Sequence, residues 1–111
     1  MTYAGHRAIY DADGHIMELP THLRDFADPD IRDQIPLTSY SASSVTEEEV
    51  AVLVGQGGKH SDEHLNHLRS LGNGLIAQSK EIQALGAFDG RHRSQALDML
   101  GFKKQIIFST L

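Results

Sequence analysis

The sequence predicts an α/β fold organised as a single βαβ unit. Three observations predict it. A segment of alternating polarity, RAIYDAD (residues 7–13), opens the chain. A capped amphipathic helix spans residues 90–100. A continuous apolar run, Ile106-Ile107-Phe108, follows that helix directly. Alternation with period two marks a strand with unlike faces, and an unbroken apolar run marks a strand buried on both faces, as in parallel sheets. Two parallel strands need cover on both faces and both edges. The unit therefore reads as the beginning of a larger α/β fold. The other reading is a compact α+β domain that pairs its edges by oligomerising.

The elements follow in order. Strand 1 is expected over residues 7–13, with Ile9, Asp11, Asp13 and His15 on one parity and Ala8, Tyr10 and Ala12 on the other. A helical excursion occupies residues 20–86, bracketed at its start by Pro20 and Pro36. Thr21 caps a short helix over residues 22–26, and Pro29 ends it or opens the next turn. Residues 37–46 form a polar loop. Thr46 followed by Glu49 is a capping-box pattern for a helix over residues 47–53. Ser61 starts DEHLNHLRSL, whose Leu65, Leu68 and Leu71 recur at a helical spacing. LIAQSKEIQAL is a further helix, ended by Gly86. Asp89 is the N-cap of a helix over residues 90–100, with an Ala96–Leu97–Leu100 stripe and Gly101 as its stop. Strand 2 is expected over residues 105–110.

Composition bounds the function. The chain has 111 residues, 40% hydrophobic and 23% charged, which is one ordinary globular domain. It has no cysteine, so disulfides and thiolate metal sites are excluded, and any metal ligand must be His, Asp or Glu. The net charge of −5, with basic residues clustered only at GRHR and KK, argues against nucleic acid. No run approaches the ~18 apolar residues of a membrane span, and MTYAGHRAIY lacks the apolar centre of a signal peptide. A cytoplasmic protein without a membrane partner is the expectation.

The chemistry concentrates in YDADGHIMELP, residues 10–20. Residues two apart on a strand point to one side, so Asp13 and His15 project together at the carboxyl end of strand 1. Active sites of α/β sheets and barrels lie at that end. A carboxylate and an imidazole converging there make half of a divalent-metal site, since zinc accepts both at ~2.0–2.2 Å. Asp11, one pleat deeper, suits a supporting hydrogen bond better than a ligand role. The structural alternative is an Asp that caps a turn and a His that packs on it, because D-x-H pairs are common in turns.

These residues carry a resemblance. DADGHIMELP has the D-x-D-x-H-x-x-E-x-P form and resembles the opening strand of the amidohydrolase-related family, in the branch of aminocarboxymuconate-semialdehyde decarboxylase and the resorcylate-type decarboxylases. RHRSQALDMLGFKKQIIFST is similar to that family's first barrel helix and second strand. The resemblance covers residues 7–36 and 87–110. It implies that the chain is the N-terminal βαβ portion of a (β/α)8 TIM barrel, with a helical insertion between strand 1 and helix 1. It implies Asp13 and His15 as metal ligands, Zn²⁺ or Mn²⁺ as the ion, and hydrolysis or non-oxidative decarboxylation of a small-molecule carbonyl or carboxylate substrate. Asp13 departs from the commoner H-x-H and leaves other divalent ions open. Glu18 and Pro20 match the motif, without a role for Glu18. A full barrel needs ~250 residues, so the isolated chain is expected to be inactive and to associate. The rival function is a small non-catalytic α+β protein-interaction module.

Other candidates carry less. His60, His64 and His67 could share a helix face, but Ser61 as N-cap leaves His60 outside the helix, and a solvated face is the expected reading. GQGG lacks the Lys-Ser/Thr of a phosphate loop. GRHR is a basic first turn, mildly unfavourable against the helix dipole, and is expected to be solvated.

Overall fold

The computed structural model describes residues 1–40, 44–78 and 81–109. Its elements are β1 (Tyr10–His15), α1 (His22–Asp25), α2 (Pro29–Arg32), α3 (Glu47–Gly55), α4 (Asp62–Ser70), α5 (Leu75–Gln78), α6 (Gly90–Leu100) and β2 (Lys104–Phe108), with 3-10 turns at Gly72–Gly74 and Glu81–Gln83. The chain divides into two units. Among the described residues, one holds 1–17 and those from 60 to 109; the other holds those from Glu18 to Lys59.

In the first unit β1 and β2 pair in parallel, in a two-stranded sheet. The strand begins later than the expected residue 7. Ahead of it the backbone curls: Gly5 N–H donates to the Thr2 carbonyl and Arg7 N–H to that of Ala4. The Arg7 guanidinium also donates to the carbonyls of Ala4 and Tyr3, so the chain straightens only after Arg7. The strand also runs on through Gly14 to His15, past the Asp13 at which it was expected to stop.

Helix α6 follows the expected range. The Asp89 carboxylate accepts from the N–H groups of Arg91 and His92, filling two of the donors that a helix start leaves open. Gly101 ends the helix at φ 78, the left-handed stop that glycine takes without penalty. Ala96 and Leu100 are buried and join Leu65, Leu68, Leu75 and Leu85 in the core. Helix α4 contributes Leu65 and Leu68 from its expected stripe, and Ser61 caps it by accepting from His64 N–H. The single helix expected over residues 75–85 is broken: α5 stops at Gln78, and Glu81 lies at φ 52, which no α-helix accommodates. The following turn still buries Ile82 and Leu85. Ser79 and Lys80 lie outside the described residues. At Gly86 (φ +80) a Cβ would fall 2.3 Å from Arg93 Cα, so the first turn of α6 lies directly on this glycine's backbone.

The apolar end of β2 is not enclosed as expected. Ile106 is 58% exposed, Ile107 42% and Phe108 49%. On the side that carries Asp11 and Gln105 the ribbon faces residues of α5 and α6 across a small cavity, and among the described residues neither edge has a third strand.

The second unit is three helices and their connections. The capping box of α3 is complete: the Thr46 hydroxyl accepts from Glu49 N–H, and the Glu49 carboxylate accepts from Thr46 N–H. Thr21 precedes α1 as expected, but its hydroxyl donates to the Asp25 carboxylate (2.9 Å) and caps no backbone N–H. Pro29 opens α2. Thr38 ties the loop back, donating from N–H and hydroxyl to the Pro20 carbonyl. Part of the expected polar loop, residues 41–43, lies outside the described residues.

Candidate metal centre

The site is made by an irregularity in β1. Asp11 pairs with Gln105 and Gly14 with Ile107, so three steps along β1 face two along β2. This is a β-bulge, and it reverses which residues share a face. Asp11 and Gly14 now lie on the same face as Gln105. The Gln105 amide donates to Asp11 Oδ2 at 2.6 Å, and a Cβ on Gly14 would meet Gln105 Cδ at 2.6 Å. Asp11, Asp13 and His15 therefore do not line one side, as uninterrupted alternation predicts.

Asp13 and His15 meet on the other face. His15 Nε2 lies 3.2 Å from Asp13 Oδ1, and both side chains are open to solvent, 52% and 90% exposed. The ring lies over Phe108, its register partner, with centroids 6.0 Å apart. His15 Nδ1 faces the Ser109 carbonyl at 3.4 Å. Both ring nitrogens thus look at acceptors. A neutral imidazole has one N–H to give. With that proton on Nε2 the ring donates to Asp13 Oδ1; with it on Nδ1 toward Ser109, the Nε2 lone pair faces the carboxylate, and a cation between them would bridge the two. The spacing suits one: two ligands at ~2.0–2.1 Å around a tetrahedral ion stand about 3.3 Å apart. A carbonyl on the second ring nitrogen is also the usual way that a ligand histidine is oriented.

Two ligands are not a closed shell. Among the described residues no group of three or more His, Asp or Glu is placed to hold a metal. Glu18, the motif's third acid, is buried and belongs to the second unit. In that unit burial, and then the charge of Glu18, raise the Tyr40 hydroxyl above its ordinary pKa.

Asp11 takes the supporting role that its depth suggested. It accepts from Gln105 and from Asp13 N–H (3.0 Å). These two bonds, the Gln105 one foremost, hold its carboxyl below the usual range against the opposing effect of burial. Beneath it lies a cavity of about 160 Å³, lined by Gln105, Arg93 and apolar residues that include Leu75, Leu97 and Phe102. Arg93 Nη2 donates to the His15 carbonyl. Burial lowers the Arg93 pKa, and the charge of Asp11 opposes that. Arg93 Nε and Gln105 Oε1 are buried with no hydrogen-bond partner among the described residues.

Sequence reasoning missed both Arg93 and Gln105. GRHR read as a solvated turn, yet its last residue, Arg93, reaches the end of β1. The one signal was the misfit of a basic turn at a helix start. Gln105, which follows Lys103 and Lys104 into β2, carried no such signal.

The histidines of α4 also differ from expectation. His60 Nε2 donates to the Ala84 carbonyl (3.2 Å) and His64 Nε2 to that of Gln83 (2.9 Å). Their rings are 4.8 Å apart, and His60 stacks near Phe88. Burial lowers the His60 pKa, with the Ala84 bond opposing it. His67 is exposed. Two of the three therefore fasten the Gln83–Ala84 turn, and only His67 is the solvated residue expected.

No helix among the described residues is long and apolar enough to cross a membrane. Compared with family models, curated proteins and solved structures, the chain matches none.

Proposed function

We propose that this chain supplies the first two strands and the first two metal ligands of a metal-dependent amidohydrolase-type enzyme with a (β/α)8 barrel. The observation that carries the reading is the Asp13–His15 pair, held 3.2 Å apart at the carboxyl end of the first of two parallel strands. The remaining ligands and the acid/base group come from further strands, for which the unpaired edges of the ribbon leave room. The ion is Zn²⁺, with Mn²⁺ the next choice, because one carboxylate and one imidazole suit both. When bound, such an ion polarises a carbonyl or carboxylate oxygen or acidifies a water. The reaction is hydrolysis or non-oxidative decarboxylation of a small carbonyl or carboxylate substrate. Within this chain, Asp13 and His15 bind the ion and the Ser109 carbonyl orients the imidazole.

A second reading has its own support. Tyr10, Ile106 and Phe108 are exposed on the sheet, and an apolar face of this kind also suits a protein partner in a non-catalytic module. Elemental analysis of the protein purified from its native cells separates the two. The enzyme reading expects near-stoichiometric zinc or manganese, lost in Asp13→Ala and in His15→Ala. Metal-free protein, or metal that survives both substitutions, would overturn it and leave the interaction module.

A further inference from the structure

We infer that Arg93 and Gln105 are positioning residues that lock the β1 bulge from its covered face and so aim Asp13 and His15 from the other. The inference rests on the metal-site reading of that pair. Three contacts converge on residues 11–15, the bulge and the residue that follows it. Gln105 holds its first residue, donating to Asp11 Oδ2. Asp11 in turn accepts from Asp13 N–H, which ties the bulge across its middle. Arg93 holds the far end, donating to the His15 carbonyl. Gly14 leaves the space that the Gln105 side chain fills. A bulge without such ties can relax to regular pairing, and a one-residue slip would turn His15 to the covered face.

The unpaired atoms bear on this. Arg93 keeps its Nε buried and unbonded in order to reach the His15 carbonyl, and Gln105 leaves Oε1 unbonded in order to give its amide to Asp11. An apolar pair in these positions would fill the cavity above Leu75 and Leu100 without orphaned atoms, but it would leave the bulge unheld. Buried polar atoms without partners call for a reason beyond packing, and a fixed bulge supplies one. The Asp11 carboxylate also sets the Gln105 amide orientation, since an oxygen turned toward it would be repelled.

The test uses the 111-residue chain and Mn²⁺ as the probe, read by paramagnetic broadening of the His15 ring protons. Wild type and Arg93→Lys, which keeps a donor, are expected to broaden at similar Mn²⁺ concentrations. Arg93→Met and Gln105→Met are expected to need at least tenfold more. Leu68→Val, which loosens the core away from the bulge, is expected to lower the melting temperature without moving the Mn²⁺ midpoint. Unchanged midpoints in both Met variants would overturn the positioning role, as would an equal weakening in Leu68→Val. If wild type shows no broadening at His15, the two ligands by themselves do not hold Mn²⁺. The clamp is then judged on the nuclear Overhauser contact between the His15 and Phe108 rings. Its loss in Arg93→Met with retention in Arg93→Lys supports the clamp, and retention in both refutes it.

Discussion

Asp11 and Asp13 stand two residues apart on one strand and have opposite surroundings. Asp11 faces the helical layer, with Gln105 on one oxygen, a backbone N–H on the other and Arg93 nearby. Asp13 faces outward, 90% exposed, with His15 as its side-chain neighbour. The bulge between them makes the difference. On its covered side, hydrogen bonds and apolar packing hold the backbone. On its open side, the same backbone presents two ligand-type groups that face each other and stay open to solvent. Strand geometry by itself would have given both carboxylates one environment. The lesson is that one face holds the backbone and the other presents the candidate ligands, and substitutions on the two should separate these effects.

The largest expected effect is on the covered side. Leu100 is 7% exposed and lines the cavity beneath Asp11. Leu100→Ala should cost about 3 kcal/mol, the usual result of emptying a core leucine, measured by urea denaturation. A loss near zero would mean that the helical layer does not support the ribbon. Next is Gly14→Ala. Its Cβ would displace the flexible end of Gln105, so the expected loss is about 1 kcal/mol, the low end of overpacking. The Asp11–Gln105 bond should break with it. Unchanged amide resonances at Gln105 would show that the bulge does not need glycine.

Asp11→Asn sharpens the comparison through pH. The folded pKa of Asp11 lies below its ordinary 3.8. Its ionised form therefore adds stability that is complete above that value and is lost as pH falls through the folded pKa. Wild type should exceed Asp11→Asn in stability near neutrality, and the gap should close below about pH 3.8. A gap that widens on acidification would reverse the assignment. The smallest effect belongs to the open side. Ile106→Thr, at a residue 58% exposed, should change stability by no more than about 0.5 kcal/mol while reducing self-association in sedimentation. A loss of several kcal/mol would place Ile106 in a core.

Much of the fold was legible because its signals are local. Asp89, Gly101, Thr46 with Glu49, and Ser61 each act on N–H or carbonyl groups within a few residues, so sequence spacing contains the whole interaction. The leucine stripe of α4 followed from periodicity, and the parallel pairing from the strand–helix–strand order, although the apolar run of β2 is exposed and not buried on both faces. The bulge was not legible, because alternation in DADGH looks regular and the extra residue exists only relative to β2, some ninety positions away. Arg93 and Gln105 were hidden for the same reason: their partners, His15 and Asp11, are remote in sequence. The break at Glu81 was missed because LIAQSKEIQAL has helical composition throughout, and the positive φ has no glycine to announce it. In the site, the D-x-H spacing was enough to pair Asp13 with His15 but not to part them from Asp11.

The central claim is that Asp13 and His15 together hold a divalent ion. X-ray absorption at the zinc edge of the zinc-loaded protein tests it most directly. The account expects one imidazole nitrogen and at least one carboxylate oxygen at about 2.0–2.2 Å. The imidazole scattering should vanish in His15→Ala, and the light-atom shell should shrink in Asp13→Ala. A spectrum that is the same in wild type and both variants would contradict it, because the zinc would then sit elsewhere.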